Sequence, residues 1–376
     1  MKLLINTSNL YVGGGLQVAL SFINELKNFE SNNQYYIFLS SSVNDQLIQD
    51  DFPENFKFYL IKRSPSSIRY RKKVVEFLDA LEKDINPDIV FSIFGPSYWR
   101  PKTRHIMGFA LPWLINEKSD VFSELSFFKR LIKKLEIKYK GYHVKNNADY
   151  YVTETEEVRQ SFSRIYNVSL ENIFVVGNTC SSIFDQKEFE PFYIPSREIR
   201  EFRLITISHN YPHKNLRVIR NVLPYLKNNN VKFKFILTID EESYDDLFSG
   251  YENYVMNIGP IKSEFCPSAY AQSDALFLPT LLECFTASYP EAMKMNKPIL
   301  TSSLPFAVDI CKDAALFFDP LDPKDIADKI LMLSAADDLR KSLAEKGEAR
   351  LKEFESAESR SRKYIGICNE LTYRNP

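Results

Sequence analysis

Short apolar runs alternate with stretches of helical periodicity along the whole chain, and no other feature restricts the fold as much. KLLIN, YYIFLS, FKFYLI, DIVFSIF, RHIMGFA, DYYVTE and IFVVG occupy the first half; RLITIS, FKFILTI, YVMNIG, DALFLP, KPILTS and ALFFD occupy the second. Each run is of strand length, and such alternation is the pattern of parallel sheets flanked by helices. At 376 residues the chain is long enough for two domains, each burying its own core. The segment from Gln186 to Phe202 is charged, contains Pro191 and Pro195, has no clean period and reads as the linker. We expect one domain over residues 1–187 and a second over 188–356.

The stretch that says most about chemistry is LLECFTASYPEAM, residues 281–293. It places Glu283 in a loop just past an apolar strand and Glu291 eight positions later, near a helix start that Pro290 tolerates. On one continuous helix these carboxylates would sit about 80° apart, so they are not a one-face pair. They read as a loop carboxylate and a helix-start carboxylate converging on one ligand. An alternative stands for Glu291: Ser288-Tyr289-Pro290-Glu291 fits a capping box, in which Glu291 only returns a hydrogen bond to the Ser288 amide.

Two further junctions have the same grammar. RLITIS is followed by the turn-rich HNYPHKN and then by Leu216, Ile219, Val222, Leu223 and Leu226 at helical spacing, with Lys214 just before that helix. An ammonium there can pair with a diphosphate whose other oxygens take helix amides; the plain alternative is a solvated loop lysine. At the other end, KLLIN leads through Gly13, Gly14 and Gly15 into LQVALSFINEL. Glycines let backbone approach a ligand closely, but G-x-G-x-x-G cannot be read here, so no nicotinamide cofactor is implied.

E-x7-E after a strand, followed by an apolar helix and the KPI strand, resembles the donor-sugar motif of the retaining glycosyltransferases of family 4, which have the GT-B fold. The resemblance implies two Rossmann-like parallel-sheet domains facing a cleft, with a C-terminal helix, about residues 357–376, crossing back to the first. It implies that Glu283 binds hydroxyls of the donor sugar and Glu291 the ribose of the nucleotide. Where the family usually has Gly-Phe-Gly, this chain has Cys284-Phe285-Thr286; the amides of Phe285, Thr286 and Ala287 would then face sugar or phosphate. Lys214 and Asn215 resemble the Lys-Asn element that grips the pyrophosphate; the usual upstream Arg is replaced by His209, with Asn210 next to it. Gly14 and Gly15 resemble the glycine-rich first loop near donor phosphate and acceptor, and Asn178 the strand-end Asn-Gly. The resemblance covers residues 203–330 most specifically.

The acceptor side is sparser. His105 and His143 are the first-domain histidines, and Tyr98, Trp99 and Trp113 lie in loops after strands, where they would shape an acceptor pocket or simply pack between helices. Charge is unevenly spread: residues 57–145 hold 19 Lys/Arg against 9 Asp/Glu, whereas the whole chain is at −1. The densest part, FFKRLIKKLEIKYKGYHVK, sets Phe127, Phe128, Leu131, Ile132, Leu135 and Tyr139 beside Lys129, Arg130, Lys133, Lys134, Lys138 and Lys140. Residues 129–145 thus suit an anionic membrane surface, against an ordinary helix with its stripe packed inward. Nucleic acid is not indicated, because no aromatic-basic binding motif accompanies the patch. No signal peptide or spanning helix is read, so we expect a cytoplasmic protein, peripheral on the inner membrane face. Five scattered cysteines and four histidines suggest neither disulfides nor a metal cluster.

The activity that the resemblance implies is metal-independent transfer of a hexose or N-acetylhexosamine, without a cofactor. We expect a nucleotide diphosphate sugar as donor and, as acceptor, a hydroxyl of a glycan or lipid-linked molecule in cell-surface polysaccharide synthesis. Two alternatives are a GT-B nucleotide-sugar isomerase and a catalytically silent binding subunit.

Overall fold

The structure is a computed structural model and describes residues 1–374 except 117, 118, 123, 124 and 228–230. Every apolar run named above forms a strand. The chain divides into two compact units, one of Met1–Glu117, Leu125–Asn178 and Glu355–Pro376, the other of Lys118–Glu124 and Thr179–Phe354.

In the first unit β1 (Lys2–Asn6), β2 (Gln34–Leu39), β3 (Phe56–Leu60), β4 (Ile89–Ser92), β5 (His105–Phe109), β6 (Tyr150–Thr153) and β7 (Ile173–Val175) form one sheet, ordered β3-β2-β1-β4-β5-β6-β7. All of its ladders are parallel. The helices are α1 (Gly14–Leu26), the short α2 (Ser41–Asn44), α3 (Arg71–Ile85), α4 (Phe127–Asn147) and α5 (Glu156–Tyr166). Strands buried on both faces explain the unbroken apolar runs: Leu3 and Ile5 face one core, Leu4 and Val90 the other.

The second unit holds β8 (Glu201–Thr206), β9 (Lys232–Leu237), β10 (Val255–Asn257), β11 (Ala275–Leu278), β12 (Ile299–Ser302) and β13 (Ala315–Phe318), ordered β10-β9-β8-β11-β12-β13 and again parallel. Around it lie α6 (Val218–Leu226), α7 (Glu241–Phe248), α8 (Cys266–Ala271), α9 (Ser288–Lys294), α10 (Pro305–Cys311), α11 (Pro323–Ala335) and α12 (Asp337–Leu351). In each sheet the strand order reverses once, between β1 and β4 and between β8 and β11. Such reversals open a crevice at the carboxyl ends of the two strands, where ligands of open α/β sheets bind.

The last helix, α13 (Ala357–Tyr373), belongs to the first unit. Its Tyr364 packs edge-on to Phe22 and against Phe91, with Ile365, Cys368 and Leu371 completing the same core.

The segment read as a linker is not free chain. Residues 186–200 carry no regular element, yet Ile194 is buried in the second unit's core and the Phe192 amide donates to Ser268 Oγ at 3.0 Å. Arg197 Nη1 reaches both Asp274 oxygens at 2.8 Å, and Arg203 donates to the Pro195 carbonyl at 2.6 Å. Arg197 and the Pro195 carbonyl therefore stitch the segment to β8 and to the start of β11.

Candidate functional site

Lys214 follows β8 and Glu283 follows β11, and these strands pair directly, Ala275 opposite Leu204 and Leu276 opposite Ile205. The strand reversal thus brings together two residues 69 positions apart. Lys214 Nζ contacts Glu283 Oε1 at 2.5 Å, with both side chains mostly buried. Thr280 Oγ1 donates to the same oxygen at 2.9 Å and also faces the His213 carbonyl, which takes the Leu281 amide at 2.7 Å. Backbone of one junction is therefore bonded to backbone of the other, which holds both side chains in place.

Lys214 ends a 3₁₀ turn, Pro212–Lys214, and α6 starts only at Val218, so the ammonium precedes the helix by more than the sequence suggested. Asn215 between them adopts a left-handed conformation (φ 53°), and its carboxamide donates to the Pro320 carbonyl at 3.1 Å, which ties the turn to the loop after β13. His209 is exposed and its ring lies 5.7 Å from that of Tyr211; Asn210 is partly buried beside it.

Glu291 stands in the first turn of α9. Ser288 is inside this helix, the preceding residue is Ala287, and no side chain caps the start, so the capping box is not formed. Instead Tyr270 of α8, wholly buried, donates its hydroxyl to Glu291 Oε2 at 3.1 Å. Burial pushes the Glu291 carboxyl up to about 7, while the Tyr270 hydrogen bond and the nearby positive charge of Lys214 pull it down. Burial together with Glu291 raises the thiols of Cys180 and Cys266, to about 11 in the case of Cys180. Glu283, Glu291 and Lys214 thus form one electrostatic cluster around the β8/β11 reversal. Phe285, Thr286 and Ala287 form the turn between them; Thr286 is buried and Phe285 packs on Phe354 with ring centroids 6.2 Å apart.

Thr280 and Tyr270 were not expected from sequence. Thr280 had a usable signal, since it closes the β11 run three residues before Glu283. Tyr270 had none, because its pairing with Glu291 depends on how α8 packs.

In the first unit, Gly13 has φ 80°, a conformation that glycine adopts without strain, and α1 starts at Gly14. Gly14 is exposed; at Gly15 a Cβ would come within 3.3 Å of Phe94. Asn9 donates to the carbonyls of Phe94 and Pro96 at 2.7 and 3.0 Å, so the glycine loop and the loop after β4 are joined across the β1/β4 reversal.

The acceptor candidates scatter. His105 is wholly buried in β5, with Nδ1 against the Asn147 carbonyl at 2.5 Å and Nε2 against Ser92 Oγ at 2.8 Å. Burial pushes its pKa down to about 4, so it is a neutral strut between β4 and the end of α4, away from any surface. Trp99 is likewise buried and donates to Asp79 at 2.8 Å. Asn178 accepts from Arg360 of α13 and donates to Glu154, both at 2.6 Å, which makes it a joint between β7 and the C-terminal helix. Trp113 is partly buried beneath Lys133 Nζ at 4.9 Å. Tyr98, with φ 54°, packs against His143 at 5.0 Å, and the Arg71 guanidinium lies 5.0 Å from its ring and 5.2 Å from that of Tyr139. Burial pushes the Tyr98 hydroxyl up to about 12.

Residues 201–336, which contain the whole Lys214, Glu283 and Glu291 cluster, match the family described as glycosyl transferases group 1. The O-antigen chain mannosyltransferase RfbU of Salmonella typhimurium is 23% identical over 216 residues, 54% of this chain and 54% of that protein. The aligned part thus spans about half the length of this curated relative. Among solved structures, a glycosyltransferase from Rickettsia africae superposes with a TM-score of 0.71 at 15% identity, over 100% of this chain and 99% of that one. Anabaena HepE, solved with UDP and glucose, gives 0.71 at 12% identity over 98% and 100%. The fold is α/β with two Rossmann-like units, of the GT-B type.

Proposed function

We propose that the chain is a retaining glycosyltransferase that moves a sugar from a nucleotide diphosphate sugar to a hydroxyl of a glycan or lipid-linked acceptor, in cell-surface polysaccharide synthesis. The observation that carries this reading is the Lys214–Glu283 pair at the β8/β11 reversal, with Glu291 alongside. Lys214 keeps one N–H on Glu283 and offers the others to the diphosphate, opposing the charge that develops there as the bond to the sugar breaks. Glu283 Oε1 is shared by Lys214 and Thr280, and Oε2 is the oxygen for donor-sugar hydroxyls. Glu291 takes the ribose hydroxyls, and His209 or Asn210 supplies a further hydrogen bond in the place of the family's Arg.

The acceptor oxygen enters on the face the diphosphate leaves and passes its proton to the departing phosphate oxygen, so the anomeric configuration is kept without an enzyme nucleophile. Charge neutralisation by Lys214 assigns no step to a metal, and chelator should leave turnover unchanged. Because HepE was solved with UDP and glucose, uridine diphosphate sugars are the first donors to try.

The test is turnover of purified protein with a panel of nucleotide sugars. Glu283→Ala and Lys214→Ala should each reduce kcat/KM by at least about tenfold, equivalent to roughly 1.4 kcal/mol of transition-state stabilisation. Wild-type turnover in either variant refutes the site. An isomerised sugar formed from donor alone refutes transfer, and an inverted product refutes retention.

A further inference from the structure

Helix α4 turns its apolar stripe outward. Phe127 is 76% exposed, Phe128 75%, Ile132 65%, Leu135 60% and Leu131 51%. With Tyr142 these residues fall within an arc about 140° wide at roughly 100° per residue. The side facing the unit is made instead by Gly141, Val144 and Asn147. An apolar arc of this extent on water is unusual for a helix that packs by burying its stripe.

Charge on the same helix is sorted. Its one carboxylate, Glu136, is partly buried and takes Lys133 at 2.6 Å and Lys140 at 2.5 Å, so those two cations are neutralised on the flank. Lys134, Lys138 and Lys145 are exposed along one margin of the apolar arc and form no ion pair among the described residues. The exposed face therefore presents large apolar side chains edged by unneutralised cations, with no acidic residue of the helix on it. The face is the convex side of a single helix, so a flat partner suits it better than an inserted peptide.

We propose that α4 is an interfacial helix that docks the protein on an anionic lipid bilayer, Phe127, Phe128, Leu131, Ile132 and Leu135 entering the headgroup boundary and Lys134, Lys138 and Lys145 meeting anionic headgroups. No helix of the described residues is long and apolar enough to cross a membrane, and this surface holds the protein on one leaflet.

The proposal does not depend on the donor assignment, and its test uses no nucleotide sugar. The full chain is sedimented with vesicles of phosphatidylcholine containing about one-third phosphatidylglycerol, and with phosphatidylcholine alone. Wild-type protein should pellet with the anionic vesicles, far less with neutral ones, and be released by salt. Leu131→Gln/Ile132→Gln/Leu135→Gln, at exposed positions, should fold as wild type and lower partitioning by at least about tenfold. Lys134→Gln/Lys138→Gln/Lys145→Gln should lower it by about fivefold per cation, and only on anionic vesicles. Wild-type protein that stays in the supernatant, or an apolar variant that pellets unchanged, overturns the proposal. So does a concentration-dependent dimer, seen by light scattering, that the apolar substitutions abolish without any vesicle binding. Because turnover with nucleotide sugars is measured separately, a failure here leaves the reading of the Lys214 site intact, and the reverse.

Discussion

At Glu291 burial favours the neutral acid, while the role proposed for it, accepting ribose hydroxyls, calls for the carboxylate. Its pKa is raised from 4.5 to about 7, so the folded chain holds this proton more tightly than the unfolded one, and its contribution to stability falls as pH rises between those values. Donor affinity should move the opposite way, tightening by about tenfold from about pH 6 to about pH 8 as the group ionises. Calorimetric titration of wild type and Glu291→Gln checks this: the variant should lose the pH dependence, and an unchanged slope excludes Glu291 as its origin. The sequence pointed to Glu283, Glu291 and Lys214 because spacing after a strand is a local property. It did not give Tyr270, nor the buried state of His105, because those depend on what packs overhead.

Among the elements, strands were legible throughout, since a strand covered on both faces has to be apolar along its whole length. The direction of a helix stripe was not, and α4 is the example: periodicity marked the stripe without saying that the stripe faces out. Contacts between loops were equally silent. At Gly108 in β5 a Cβ would come within 1.9 Å of the Ile93 carbonyl oxygen, because the chain after β4 passes directly over it. That same stretch carries Phe94, which packs at Gly15 and takes the Asn9 hydrogen bond. Gly108→Ala is expected to cost more than about 2 kcal/mol, since backbone has to move to admit it. A thermal or urea midpoint within error of wild type contradicts this crossing.

For the whole molecule, the joint that matters most links residues far apart in sequence. Arg360 is buried on α13 and donates to Asn178 at 2.6 Å and Ser21 at 2.8 Å, while Asn178 holds Glu154. Arg360→Ala leaves Asn178 Oδ1 and Ser21 Oγ without their buried donor and is expected to cost about 1–3 kcal/mol, measured by denaturant unfolding. A loss below about 1 kcal/mol would mean that apolar packing of Tyr364 and Leu371 alone holds the helix. The sequence gives no sign of this joint, whose members stand 182 residues apart, nor, for a similar reason, of the tethers of the 186–200 segment, Ser268 and Asp274, which lie beyond β10.

Because α13 is part of the first unit, the ribosome makes the rest of that unit long before the helix that completes its core, and in between it emits residues 179–354, most of the second unit. The later-made body can fold while the earlier-made one still waits with Phe22 and Phe91 uncovered. During synthesis, exposure to chaperones and proteases should therefore fall on the amino-terminal half, until α13 emerges.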